Sequence, residues 1–258
     1  ALIILIFAAT PIGNIELEIP NAESLPADSG TRIAYEKFED SFLPSNQSTI
    51  PIVVEAKDQT DLLSKESLEN LEAFIKELDE DKLVNQIDSI FTYTHTNSAD
   101  ELYQTLQSNE AREKLASVLG KLVNKDTTHI TVKLDAAYTT NEAKDWVREA
   151  ENRNIQSELN HTIGGQAKFT QEIFDEIEEQ VPKGLLLIIG ATYCILLIAF
   201  RSVLIPLKAI LMNILSLGAA FGIIVWIFQF GNLGVDPHPI ALMIPILTFA
   251  VVFGLSMD

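Results

Sequence analysis

The C-terminal part of the chain, from Gly184 to Asp258, is almost uncharged, and this feature constrains the fold more than any other. Its charged residues are Arg201, Lys208, Asp236 and Asp258. They separate three uncharged runs of about 17, 27 and 21 residues, and a helix needs roughly 20 apolar residues to cross a bilayer. Core helices of soluble proteins rarely run this long without a charge. The segment therefore predicts three transmembrane helices, at about 184–200, 209–230 and 239–258.

The first residues of the chain form a further apolar segment. Ala1–Ala9 is uncharged but too short to span a bilayer. A secretory signal peptide would start with Lys or Arg and would end at a cleavage site, and this segment has no basic start. We expect residues 1–10 to be the end of a longer transmembrane helix that the chain boundary cuts. The last predicted helix would be cut in the same way.

The remaining charges give the membrane orientation and exclude several classes of protein. Of the −18 net charge, all belongs to the stretch before Gly184, which holds 34 acidic and 16 basic residues. A stretch this acidic repels phosphate, so a nucleic-acid binder is excluded, and the apolar part excludes a soluble enzyme. Arg201 and Lys208 bracket a short loop, whereas the connector at 231–239 has no Lys or Arg. The positive-inside rule then puts the basic loop in the cytoplasm and residues 11–183 outside the cell membrane.

Residues 11–183 are long enough to form a domain with its own core. Their hydrophobic periodicity predicts strands at Thr49–Ala56, Asn85–Tyr93, Thr128–Leu134 and Ile155–Ile163. It predicts helices at about Thr31–Phe42, Ser64–Leu78, Ser98–Val123, Thr139–Asn152 and Gln166–Gln180, with capping boxes opening at Ser98 and Thr139. Without a helical insert at about 98–126, the order is strand–helix–strand twice. That order predicts an α+β extracytoplasmic domain of the ferredoxin-like, split βαβ kind.

Asp258 is the residue with the clearest functional signal. It follows a run of about 20 uncharged residues, so a helix would place it well inside the hydrocarbon slab. An acid there is costly unless it is paired, protonated or faces a polar cavity, and desolvation raises its pKa toward neutrality. Those properties suit a proton relay. The alternative is that the helix ends at Asp258 and the acid is interfacial.

Small residues recur in the predicted membrane helices. Gly254 lies one turn before Asp258, and Gly218 and Gly222 form a GxxxG motif in the middle run. Such residues let helices approach closely, so we expect a packing role for them. The sequence shows no nucleophile–base pair, metal-binding cluster or phosphate loop, so we expect neither an enzyme nor a cofactor. Cys194 is the single cysteine, which excludes a disulfide framework.

Several segments together resemble a known family of membrane proteins. They are Ser24-Leu-Pro-Ala-Asp-Ser29 with Arg32 and Ala34-Tyr35, Gly164-Gly165, Phe200–Ala209, Asn213-Ile-Leu-Ser216, Gly218–Gly222, Pro245-Ile-Leu and Phe253-Gly-Leu-Ser-Met-Asp258. These sequence segments resemble the MMPL family (mycobacterial membrane protein large) of the RND superfamily of proton-driven transporters. They are most similar to the second repeat half of that family. The resemblance implies a porter-like outside domain, a multi-pass helical bundle and Asp258 as the relay acid.

The resemblance also implies a function and partners. The chain would be a fragment of a transporter in the cell membrane that exports lipids or other hydrophobic molecules, driven by the proton gradient. Its partners would be membrane lipids, the hydrophobic cargo and the missing other half of the transporter, with an oligomer left open. Two alternatives stay open at this point: an RND-like accessory of protein export, and a membrane-anchored binding or scaffold protein without transport.

Overall fold

The structure is a computed structural model that describes residues 2–20, 22–26, 28–42, 47–57, 60–153, 159–235 and 237–255. The chain divides into two compact units. The sheet unit comprises Lys37–Asp175, and the helical unit comprises Ala1–Glu36 together with Glu176–Asp258. The sheet unit contains most of the acidic stretch and the helical unit contains both apolar ends, so the division follows the charge pattern of the sequence.

Helices and strands alternate through the chain. The helices are α1 (Leu2–Ala9), α2 (Gly30–Phe42), α3 (Lys65–Asp79), α4 (Ile90–Thr94), α5 (Ala99–Gln107), α6 (Asn109–Leu122), α7 (Asn141–Asn152), α8 (Gly165–Phe200), α9 (Leu204–Ile224) and α10 (Met243–Leu255). The strands are β1 (Leu17–Glu18), β2 (Ser48–Ala56), β3 (Val84–Asp88), β4 (Val123–Asn124), β5 (Thr127–Leu134), β6 (Leu159–Ile163) and β7 (Ile240–Ala241).

The sheet unit is built on an antiparallel sheet. Its strand order is β3-β5-β2-β6, with β4 added beside β5. The first and third long strands are therefore central neighbours, and the second and fourth lie at the two edges. This is the arrangement that the split βαβ pattern requires. The predicted strand–helix–strand order thus gives an α+β fold, as expected.

Alternation along the strands builds the core of the sheet unit. Ile50, Ile52 and Val54 of β2 are fully buried, whereas Val53 between them is 45% exposed. Since successive strand residues point to opposite faces, one face of β2 carries the core and the other is open. The buried face packs with α3, α5 and α7 through a continuous cluster whose largest members are Phe74, Leu62, Leu68, Leu71, Leu78, Ile90, Leu102, Ile130 and Leu134.

Three boundaries in the sheet unit differ from the sequence predictions, and a fourth is described only in part. Residues 90–94 form a helix rather than the end of a strand, because Ser89 and Thr92 form a capping box that ends β3. The predicted helix Ser98–Val123 is two helices, because the backbone is extended at Ser108. The N-cap of α7 is Thr140, whose Oγ1 accepts from the Ala143 N–H at 3.3 Å, and not Thr139. Of the predicted strand Ile155–Ile163, residues 155–158 lie outside the described residues, and the remainder is the strand β6, Leu159–Ile163.

The helical unit contains the apolar helices. Among the described residues, two helices are long and apolar enough to cross a membrane, Gly165–Phe200 and Leu204–Gln229. The second includes a π-helical turn, Val225–Gln229, after α9. It begins at Leu204 and not near 209, because the turn after Phe200 needs only residues 201–203.

The third predicted span begins later than expected. Residues 240–241 are the strand β7, so α10 starts at Met243 instead of about 239. With its described end at Leu255, α10 is a shorter apolar helix, as are residues 2–14 at the other end of the chain. The predicted membrane end at 1–10 does form a helix, α1.

Candidate functional site

The helical unit contains an apolar cavity of about 650 Å3 that is open on part of its surface. All of its described lining residues are apolar, and they come from α1 and the turn after it, β1, α8, α9, the residue after β7, and α10. The hydrophobic pattern of α8 explains one wall. Ile177, Val181, Gly184, Leu185 and Ile188 lie at helical spacing on one face of α8 and all line the cavity.

The opposite walls come from α9 and α10. Leu217, Gly218 and Phe221 of α9 line the cavity, as do Ile246 and Phe249 of α10. A cavity with only apolar walls offers no hydrogen bond to a polar ligand, so it favours a hydrophobic molecule. The sequence predicted a helix at Gln166–Gln180, but it could not show that this helix continues as α8 into the wall of a cavity.

The GxxxG motif of α9 packs against the end of α1. A methyl group at Gly222 would overlap the carbonyl oxygen of Ala8 and come within 3.0 Å of the Ala9 Cα. A methyl group at Gly218 would lie 3.6 Å from the Ala9 Cβ, an ordinary contact. The predicted packing role of the motif is confirmed, and Gly222 is the position where α1 and α9 come closest to backbone contact.

A second contact within the helical unit is polar. The Gln229 Nε2 donates to the Asn14 carbonyl at 2.6 Å, and the Gln229 Oε1 accepts from the Glu16 N–H at 2.9 Å. Beside it, β1 pairs in parallel with β7, with Leu17 opposite Ile240. No sequence pattern predicted a role for Gln229. Its one distinguishing feature in the sequence is an amide side chain near the end of a long apolar run.

The charged groups of the sheet unit cluster where α7 meets the start of α8. Arg148 is paired with Asp175 through two hydrogen bonds, one of them 3.1 Å long, from the guanidinium Nε. Lys144 lies 4.1 Å from the centre of the Phe174 ring, and burial lowers its pKa. These contacts hold α7 against residues 165–175 of α8, so we assign them a structural role.

Gly165 explains why α8 can begin where it does. Its φ is +88°, and a side chain there would come within 2.7 Å of the Pro51 Cδ. The Gly164 N–H donates to the Pro51 carbonyl at 2.9 Å, which fixes the turn between β6 and α8. The Gly164-Gly165 pair therefore forms the turn between β6 and α8.

The predicted relay acid, Asp258, lies outside the described residues, as do its neighbours 256–257. Gly254 lies within α10. Among the described residues, no group of three or more His, Cys, Asp or Glu side chains could hold a metal ion. His161 lies on β6 with its Nε2 2.9 Å from the Ala150 carbonyl oxygen.

Known proteins resemble this chain over most of its length. The model of the MMPL family matches residues 23–258. Membrane protein YdfJ of Bacillus subtilis is 25% identical over the whole chain, which covers 32% of that relative. The trehalose monomycolate exporter MmpL3 of Mycolicibacterium smegmatis is 22% identical, again over the whole chain and 23% of the relative.

A further relative matches a shorter part of the chain at higher identity. The heme uptake protein MmpL11 of Mycobacterium tuberculosis is 36% identical over 37% of the chain and 10% of its own length. The chain thus spans about a third or less of the length of these curated relatives.

Proposed function

Because the chain belongs to the MMPL family, a family of membrane transporters, we propose that it is part of a proton-driven transporter that exports lipids or other hydrophobic molecules. The single observation that carries the proposal is the apolar cavity in the helical unit. Its volume of about 650 Å3 lies within the roughly 300–1,000 Å3 range of small-molecule sites.

The names of the relatives support the cargo class. One relative is named for export of trehalose monomycolate and another for uptake of heme. The apolar lining of the cavity favours a cargo that buries hydrophobic surface. We therefore extend to this chain a cargo with a substantial hydrophobic part, which would lie against α8, α9 and α10.

Asp258 is the proposed proton site. It follows the apolar helix α10, and the only other acid after Gly184 is Asp236. In an apolar surrounding, the neutral carboxylic acid is favoured over the carboxylate. Proton uptake and release at Asp258 would therefore change how well α10 is accommodated in the membrane, which supplies a means of coupling a proton gradient to helix movement.

The proposed topology follows the same reasoning. The sheet unit would be a porter-like domain outside the cell membrane, and the turn at 201–203 would face the cytoplasm, where Arg201 and Lys208 are favoured. The chain would span the membrane several times and act with the other half of the transporter. Cargo would pass between the membrane and the outside domain.

Replacement of the relay acid tests the proposal. Asp258→Asn in the intact protein, reconstituted in liposomes with an imposed pH gradient, should abolish gradient-dependent release of a fluorescent fatty acid. Asp236→Asn is the matched control, since it removes the other acid of the C-terminal segment and should retain transport. Transport that survives in Asp258→Asn would refute the relay. Binding of the fatty acid without any gradient-dependent transport in the wild type would favour a membrane-anchored binding protein.

A further inference from the structure

We infer that residues 14–18 and 240–242 form a strap in the cavity wall, that Gln229 holds the strap in place, and that separation of the strap gives cargo a further route into the partly open cavity. The inference deepens the proposed function and depends on it, because it assumes that the cavity receives a hydrophobic molecule. All the residues involved belong to the helical unit.

The strap forms part of the cavity wall itself. Leu17 of β1 and Leu242, the residue after β7, both line the cavity. Ile240, the register partner of Leu17, is only 4% exposed. If the two strands separate, the wall between them is lost and the cavity opens on that side.

The strand pair is too short to be stable alone. The Ile240 N–H donates to the Glu16 carbonyl at 2.9 Å, and the Leu242 N–H donates to the Glu18 carbonyl at 2.8 Å. Two-residue strands fall below the length at which paired strands are stable in isolation, and parallel pairing is weaker per residue than antiparallel pairing. The strap therefore needs support from another element.

Gln229 supplies that support. Its amide donates to the Asn14 carbonyl and accepts from the Glu16 N–H, which is how a neighbouring strand would pair with this segment. Glu16 is thus held from both sides, by Gln229 at its N–H and by Ile240 at its carbonyl. Loss of the Gln229 amide would weaken the segment at the residue on which the strand pairing depends.

The π-helical turn gives Gln229 its position. A π turn contains one more residue than an α turn and shifts the direction of the side chains that follow it. Val225–Gln229 is such a turn, and Gln229 is its last residue. The Phe228 carbonyl also accepts from the His238 N–H at 2.9 Å, so the same turn holds the segment before β7.

A reversible disulfide tests the strap. Leu17→Cys and Ile240→Cys are register partners, and the spacing of adjacent strands suits a disulfide. The exposed Cys194 is replaced by Ser. The intact protein is placed in phosphatidylcholine–phosphatidylglycerol liposomes with a diazirine-bearing fatty acid, and photolabelling of Ile246 and Phe249, which line the cavity from α10, is followed after the probe is added. Labelling of the exposed Leu186 and Leu187 serves as the reference for lipid contact.

The locked protein should label Ile246 and Phe249 several-fold more slowly, and reduction of the disulfide should restore the rate. Gln229→Met, which keeps the size of the side chain and removes two hydrogen bonds, should accelerate this labelling about tenfold, the typical effect of two lost hydrogen bonds. Phe230→Leu changes an exposed side chain, leaves the Gln229 bonds intact and should match the wild type. Unchanged rates in both the locked protein and Gln229→Met would overturn the strap, since a wall with a purely structural role would be insensitive to locking.

A variant that fills the cavity separates the two proposals. Ala250→Trp adds volume at a lining position and should reduce labelling of Leu185 and Ile188. If Ala250→Trp leaves the labelling of Leu185 and Ile188 unchanged, the cavity is not a cargo site. The proposed function then loses the cavity as its supporting observation. If Ala250→Trp reduces this labelling, while the disulfide and Gln229→Met leave the labelling rates unchanged, only the strap is refuted.

Discussion

The two units place the same kinds of side chain in opposite environments. In the sheet unit, the large apolar residues of α3 and the central strands are buried, and Leu71 is fully buried. In the helical unit, Leu186, Leu187 and Ile198 are more than 70% exposed. Burial of apolar side chains away from water therefore stabilises the sheet unit, whereas the exposed apolar side chains of the helical unit require an apolar surrounding. Hydrophobicity alone does not identify a core residue, since side chains of the same kind are buried in one unit and exposed in the other.

The units also differ in what holds their helices together. In the sheet unit, side chains cap helices, as Ser64 does for α3, Ser98 for α5 and Thr140 for α7. In the helical unit, α9 has no side-chain cap, and α1 meets it through small residues. In lipid, the hydrophobic effect does not drive apolar helices together, so their association depends on van der Waals packing where small residues let the backbones approach closely.

The largest expected effect comes from a matched pair of leucines. Leu71→Ala should destabilise the sheet unit by about 3 kcal/mol, because it leaves a cavity in a packed core. Leu187→Ala, at a position 73% exposed, should change stability by less than about 0.5 kcal/mol. Hydrogen exchange of the intact protein in detergent, read separately for peptides of each unit, measures both changes. Equal losses of stability in Leu71→Ala and Leu187→Ala would contradict the contrast between the two units.

A second pair tests the packing of the helical unit. Gly222→Ala should cost about 2 kcal/mol, because the added methyl group overlaps the Ala8 backbone and forces α1 away from α9. Gly218→Ala, where the methyl group has room, should be close to neutral. The melting temperature in detergent and protease cleavage after α1 report the change. Equal tolerance at both glycines would mean that α1 and α9 do not approach as described.

The smallest effect concerns pH and the sheet unit alone. Glu72 accepts from the Lys76 ammonium and from the Ala99 N–H at the start of α5, and these bonds lower its pKa below the usual 4.5. Its contribution to stability is therefore complete above pH 4.5 and is lost as the pH falls through the lower, folded-state pKa. Glu72→Gln should cost about 1 kcal/mol at neutral pH and nearly nothing in acid.

An exposed acid provides the control for that experiment. Glu110 pairs with Lys114 within α6, and both side chains are exposed. Glu110→Gln should leave the stability unchanged within about 0.5 kcal/mol at either pH. Urea unfolding of the intact protein at neutral pH and below pH 4.5, followed by exchange in α3 and α5, compares the variants. A pH-independent loss in Glu72→Gln would show that the carboxylate charge is not what joins the two helices.

Sequence patterns predicted the features that depend on neighbouring residues. The alternation in β2 and β5, the helical stripe in α3 and the uncharged runs each arise within one element, and all three appear in the structure. The pairing of β1 with β7 and the bonds of Gln229 join residues more than 200 positions apart. No local period encodes such contacts, so the cavity wall could not be predicted. Residues 90–93 show the same limit at short range, since a capping serine overrode their strand propensity.

The contact between Ala8 and Gly222 has a consequence for biosynthesis. A ribosome makes α1 before α9, with the whole sheet unit between them in the sequence. Domains generally fold as their chain emerges, so the sheet unit can complete its core before α9 has been synthesised. The contact between α1 and α9 cannot form until residue 222 has been made. The approach of these two helices is therefore a late step, which follows the folding of the sheet unit.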